Sequence, residues 1–189
     1  MYKLCKTEQS AQRQQLLEEA LLRAMGERPY EAITISDLCA QAGVPRKAFY
    51  RYFSGKDGAL HSLIDHTLLR FEDFATQIAR DRELPWQESL EIYFRYWLTQ
   101  RPLLEALTAN DKAQVLVFQS VKCALSPQGV PRKYRRWKSL DIEEKAIRFI
   151  ICGLTAMIIT WSQEGFRETP KELAATAEKL LTEPLFRRN

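Results

Sequence analysis

"ITISDLCAQAGVPRKAFYRYFSGKDGAL", residues 33–60, decides how the chain is read. Thr34 and Asp37 stand three apart, the spacing of a capping box, so a helix starts there with Ile35, Leu38, Cys39 and Ala42 on its inner side. Gly43 supplies the left-handed residue that ends one helix, and Pro45 suits the first turn of the next. Two short helices around a glycine turn are the layout of a helix-turn-helix, although glycine turns between helices are common. In the second helix Phe49 and Phe53 are four apart and share a face, where with Val44 they pack onto the preceding helices. Arg46, Lys47 and Tyr50 then point the other way, with Ala48 on the flank and no carboxylate among them. Arginine and lysine neutralise phosphates or bond to guanine edges, and a small apolar alanine sits against a thymine methyl. Lys56 and Asp57 open a further helix, whose free amides attract phosphate. On spacing alone this face reads equally as a solvated basic surface.

Composition narrows the classes. The 189 residues, 46% hydrophobic and 28% charged, describe an ordinary globular protein able to bury a core. A net charge of +4 permits a polyanionic partner without demanding one. The opening residues 1–15 carry no apolar core of a secretory signal, so a cytoplasmic protein is expected. Cys5, Cys39, Cys123 and Cys152 are widely spaced, and His61 and His66 lie five apart, so no metal site is expected. Neither a Gly-rich phosphate loop nor an HExxH or G-x-S-x-G motif occurs, so neither an enzyme nor a cofactor is expected.

Apolar residues recurring at three and four along the whole chain predict an all-α protein. Leu16, Leu17, Ala20, Leu21 and Ala24 form the stripe of a first helix that stops near Gly26. Residues 60–78 read as a long connecting helix with Leu63, Leu68, Phe71 and Phe74 inward. A helix through Ile92, Tyr93, Tyr96 and Trp97 is interrupted at Pro102, and another follows over 112–125. The apolar stretch from Ala146 to Trp161 is shorter than the roughly 20 residues of a membrane span and reads as a buried helix. Over 142–163 it is apolar on more than one side, which suits packing on its own core and on a second subunit, and Gly153, Thr155 and Ala156 allow close approach. The closing helix starts at Pro170 and carries Leu173, Ala177, Leu180 and Leu181 on one stripe. Phe94, Trp97, Phe118, Met157, Thr160 and Trp161 either line an apolar ligand cavity or fill the core.

Residues 34–60 resemble the DNA-binding signature of the TetR family of bacterial transcriptional regulators, of TetR/AcrR type. The likeness rests on the aromatic run from Phe49 to Phe53 with the lysine beyond it, on Leu16 to Ala20, and on "ERPYEAITI" at 27–35. It implies a three-helix, helix-turn-helix DNA-binding domain over 8–55 and a larger helical effector-binding and dimerisation domain over 56–189. It further implies that the last two long helices make a four-helix interface with a second copy. By the same resemblance Arg46 and Lys47 read bases, Tyr50 meets phosphate or a base, Tyr52 and Lys56 meet phosphates, and Thr34 anchors the second helix to the DNA backbone. Pro45, Lys47, Ala48 and Gly58 depart from the family pattern and leave the operator sequence open. The function implied is a ligand-responsive repressor that binds a near-palindromic double-stranded DNA operator as a homodimer and releases it for an apolar or amphipathic effector. The alternative is a coactivator of the same fold controlled by a protein partner. Arg132 to Lys138, five basic residues with Tyr134 and Trp137 between them, fall in a loop that the family architecture puts away from DNA. A solvated loop, an anionic effector site or a protein contact is expected there.

Overall fold

The computed structural model describes residues 2, 7–80, 84–126 and 140–183; Cys5 and the basic loop from Arg132 to Lys138 lie outside these described residues. Helix α1, Glu8–Glu27, begins where the Thr7 hydroxyl accepts the Ser10 N–H. A 3-10 turn, Tyr30–Ala32, leads to α2, Ile35–Ala42, and after the turn at Gly43 to α3, Arg46–Tyr52. The long α4, Lys56–Ala79, carries the chain away from these helices. Then follow α5 (Trp86–Thr99), α6 (Arg101–Ala109), α7 (Ala113–Ala124), α8 (Leu140–Gln163) and α9 (Pro170–Thr182). Among the described residues the structure is all helical, apart from an isolated bridge between Tyr2 and Phe53.

The ends follow local chemistry. Thr34 and Asp37 make the reciprocal capping box expected of them, and Thr169 with Glu172 makes another beside Pro170. Gly43 takes a φ of 64°, the left-handed cap that an L side chain resists. Pro45 stands just before α3, as its extended cap, instead of inside its first turn. Pro102 is tolerated near the start of α6, where its missing N–H costs nothing, and the break falls at Gln100.

The buried core runs without interruption from Leu17 to Ala177. α1 packs on α2, α4 and α6, α4 continues onto α5 and α7, α5 lies along α9, and α8 is held by α6 and α7. α4 thus meets α1 along the part where Leu60, Leu63 and Ile64 are buried, and the later helices through Phe71 and Phe74, whose rings meet Tyr96. The Tyr96 hydroxyl donates back to the Thr67 carbonyl on α4.

Three sequence expectations are corrected. The apolar helix reaches 24 residues and is buried along one face only, at Ile147, Leu154, Ile158 and Trp161. It is long and apolar enough to cross a membrane by length and composition, yet that face lies against the chain's own helices. The other face leaves Cys152, Gly153 and Ala156 exposed, with Phe149 71% exposed. On α9 it is Ala174 that joins Leu173 and Ala177 inside, while Leu180 faces out. On α1, Leu16 stays at the surface.

Candidate nucleic-acid interface

The seven residues of α3 divide between two faces. Phe49 is fully buried and packs against Phe53, their ring centroids 5.1 Å apart. Ala48 and Tyr52 are each 7% exposed, so they belong to that inner face too. This corrects the expected placement of Ala48 on the flank of the outer face, and it leaves Tyr52, expected to meet phosphate, with most of its side chain inside. A helix this short needs every inward position it has to hold itself down, because isolated helices of this length are not stable.

The outer face consists of Arg46, Lys47, Tyr50 and Arg51, all exposed. Among the described residues none of the three cations is paired with a carboxylate. Arg51 was missed as a site residue, although its place four after Lys47 puts both on one side of the helix. Thr34 lies exposed at the start of α2, its hydroxyl engaged by the Asp37 N–H at 3.1 Å.

The nearby acids are tied to other groups. Asp37 pairs with Arg28 at 3.1 Å, and its carboxyl is held below the usual range by the Thr34 hydrogen bonds first and Arg28 after them. Glu31 meets the Lys112 ammonium at 2.9 Å, which holds its carboxyl low as well. Asp57 accepts the Tyr30 hydroxyl at 2.7 Å. Among the described residues no carboxylate forms an ion pair with the cations of this face, an arrangement that suits a polyanion.

Lys56 behaves differently from expectation. Its ammonium donates to the carbonyls of Tyr30 and, at 3.0 Å, Ile33, and lies 4.2 Å from the Tyr30 ring centroid. Two of its three donors are used inside the protein, so phosphate is left one at most.

Of the residues expected around a ligand, Phe94, Trp97 and Trp161 meet in the core with Met157 packed against it, while Thr160 and Phe118 face outward. Phe94, Trp97 and Trp161 are buried, with Phe94 edge-on to Trp161 at 6.3 Å and the Trp161 indole donating to the Glu168 carbonyl at 3.0 Å. Met157 is half-buried and Thr160 exposed. Phe118 is 74% exposed, because α7 turns Leu116, Gln119 and Ser120 inward and puts Phe118 on the far side. There it borders a surface groove of about 490 Å³ between α7 and α8, lined also by Val121, Leu125, Lys122, Arg148 and Cys152.

Comparison with known proteins bears on the same region. Residues 17–63 match the model for bacterial regulatory proteins of the tetR family. The HTH-type transcriptional regulator EthR of Mycolicibacterium smegmatis is 30% identical over 98 residues, which cover 48% of this chain and 45% of that protein. The chain thus matches less than half the length of this curated relative. Among solved structures, Lin0861 from Listeria innocua superposes with a TM-score of 0.69 at 17% identity, covering 95% of this chain and 94% of that one. A transcriptional regulator FadR from Bacillus subtilis, in complex with stearoyl-CoA, gives a TM-score of 0.56 at 16% identity, over 91% and 99% of the two chains. At such identities the structural likenesses show the fold.

Proposed function

Since the chain belongs to the TetR family of bacterial transcriptional regulators, we propose that it is a ligand-responsive repressor which binds a near-palindromic operator as a homodimer. The observation that carries this reading is the division of α3 into a buried aromatic face and an exposed, carboxylate-free face of Arg46, Lys47, Tyr50 and Arg51. One short helix reads only a few base pairs, too few to single out a site in a genome, and two copies about one helical turn apart supply the rest. The exposed apolar side of α8, centred on Phe149, Gly153 and Ala156, supports pairing, since a face of this kind is covered when a second copy packs on it.

The effector is proposed as an amphipathic molecule with an acidic end. The groove between α7 and α8 combines Phe118, Val121 and Leu125 with the cations Lys122 and Arg148. The stearoyl-CoA held by the Bacillus subtilis neighbour is a molecule of that chemical kind.

Selection of bound fragments from the source genome tests the reading. A regulator of this type enriches one inverted repeat, and its affinity falls steeply with added salt. Enrichment of no sequence above background would refute operator recognition.

A further inference from the structure

Tyr30 is held from several sides by residues far from it in the chain. Its N–H donates to Asn110 Oδ1 at 2.5 Å, and its hydroxyl donates to Asp57 Oδ1 at 2.7 Å. Its ring lies near two ammonium groups, 4.2 Å from Lys56 Nζ and 4.6 Å from Lys112 Nζ. Asn110 uses its other end as well. Nδ2 donates to the carbonyls of Met25 at 3.0 Å and Ala106 at 2.8 Å. A single amide therefore ties together the last turn of α1, the 3-10 turn and the last turn of α6. Lys112 adds its ion pair to Glu31 in the same turn, at 2.9 Å. Between them Asp111 takes a left-handed φ of 55°, the sharp corner where α6 gives way to α7. The Tyr30 phenol is pushed well above its ordinary value, by burial first and then by Asp57, so its hydroxyl remains a donor at neutral pH.

The positions along the chain give these contacts their meaning. Tyr30 lies just before α2, while Lys56 and Asp57 are the first residues of α4, just after α3. Both ends of the α2–α3 pair are thus fastened to one tyrosine, and that tyrosine is fastened to the corner at 110–112. We propose that Asn110 and Lys112 are positioning residues, which set the pose of the DNA-reading helix α3 by holding Tyr30 from the α6–α7 corner. This rests on the reading of α3 given above. A displacement of α6 or α7 then reaches the α2–α3 pair through Tyr30 and the first turn of α4, without a tilt of the whole of α4 being needed.

Amide hydrogen exchange on the full-length chain, without DNA, tests the clamp. Asn110→Ala should speed exchange across residues 29–58 while leaving α5 and α9 as protected as in the parent. Lys112→Met, which removes a partly exposed charge and buries nothing new, should do the same more weakly, and Lys112→Arg should restore the parent pattern. On the sequence selected from the genome, Asn110→Ala should weaken binding by about tenfold. Exchange that rises evenly along the chain in both variants, or stays unchanged in both, overturns the proposal, as does parental DNA affinity in Asn110→Ala. A parent protein that selects no DNA refutes the operator reading instead, and the exchange result is judged without it.

Discussion

Arg46 projects from the first turn of α3 with its guanidinium in water and no carboxylate partner among the described residues. Such a fork fits a guanine edge, so Arg46→Ala should cost about 1–3 kcal/mol on the selected operator and relax the preference at one base position. A gel-shift titration showing parental affinity would remove Arg46 from the base-reading set. Lys56 calls for a different outcome. With its ammonium given to the Tyr30 and Ile33 carbonyls, Lys56→Met strands two acceptors. It should lower stability by about 1–3 kcal/mol in denaturant titrations. The salt dependence of DNA binding should change by less than one phosphate contact. A parental unfolding midpoint combined with a flatter salt slope would return Lys56 to the phosphate-binding role that sequence alone suggested. Sequence could identify these cations, because a basic residue is conspicuous anywhere. It could not show where each ammonium ends, because the Tyr30 and Ile33 carbonyls lie more than twenty residues from Lys56 and leave no local pattern.

Helix α1 and helix α4 share a buried polar seam. Glu18, 3% exposed, accepts the Ser62 hydroxyl at 2.6 Å and meets His66 Nδ1 at 2.9 Å, and Gln14 donates to Ser62 at 2.7 Å. Also acting on the imidazole are Asp65 and Arg70 of its own helix, and Tyr2 stacks edge-on against it at 5.9 Å. Lys122 of α7 reaches Asp65 at 3.5 Å. The Glu18 hydrogen bond outweighs burial and raises the His66 pKa. A group whose folded value is raised stabilises the fold fully below its unfolded value, here about 6.5, and loses that contribution as pH rises through the folded value. The melting temperature should therefore decline from about pH 6 toward pH 8, and His66→Gln should flatten that slope. An unaltered slope in the variant would show that another group governs it. The elements were the most legible part of the chain. Thr34, Asp37 and Gly43 announce their helix ends through their own backbone chemistry. Faces were harder to assign. Spacing at three and four finds the apolar residues of α7, α8 and α9, but with apolar residues all round, only packing shows that Phe118, Phe149 and Leu180 face away from the chain's own core.

For the whole molecule, the outer side of α8 is the surface on which the proposed pairing of two copies turns. Ala156 lies there beside Gly153, exposed in the single chain. A carboxylate at this position would bury a charge in the proposed apolar contact between copies, so Ala156→Glu should yield a monomer in sedimentation and lose most operator affinity with one half-site. A variant that still sediments as the parent pair would move the interface off α8. The clamp at Tyr30 belongs to this scale too, and it escaped the sequence reading because Asn110 meets Tyr30 across eighty residues with no motif to mark either end. Helix α3 divides its labour between two faces. Phe49, Ala48 and Tyr52 hold it in place, while Arg46, Lys47, Tyr50 and Arg51 take no share in the core. Over generations, the outer residues are free to drift at almost no cost to folding. If this face reads DNA as proposed, duplicated copies of such a gene can part company in the promoters they address long before their scaffolds differ, and a laboratory wishing to redirect the protein has the same freedom.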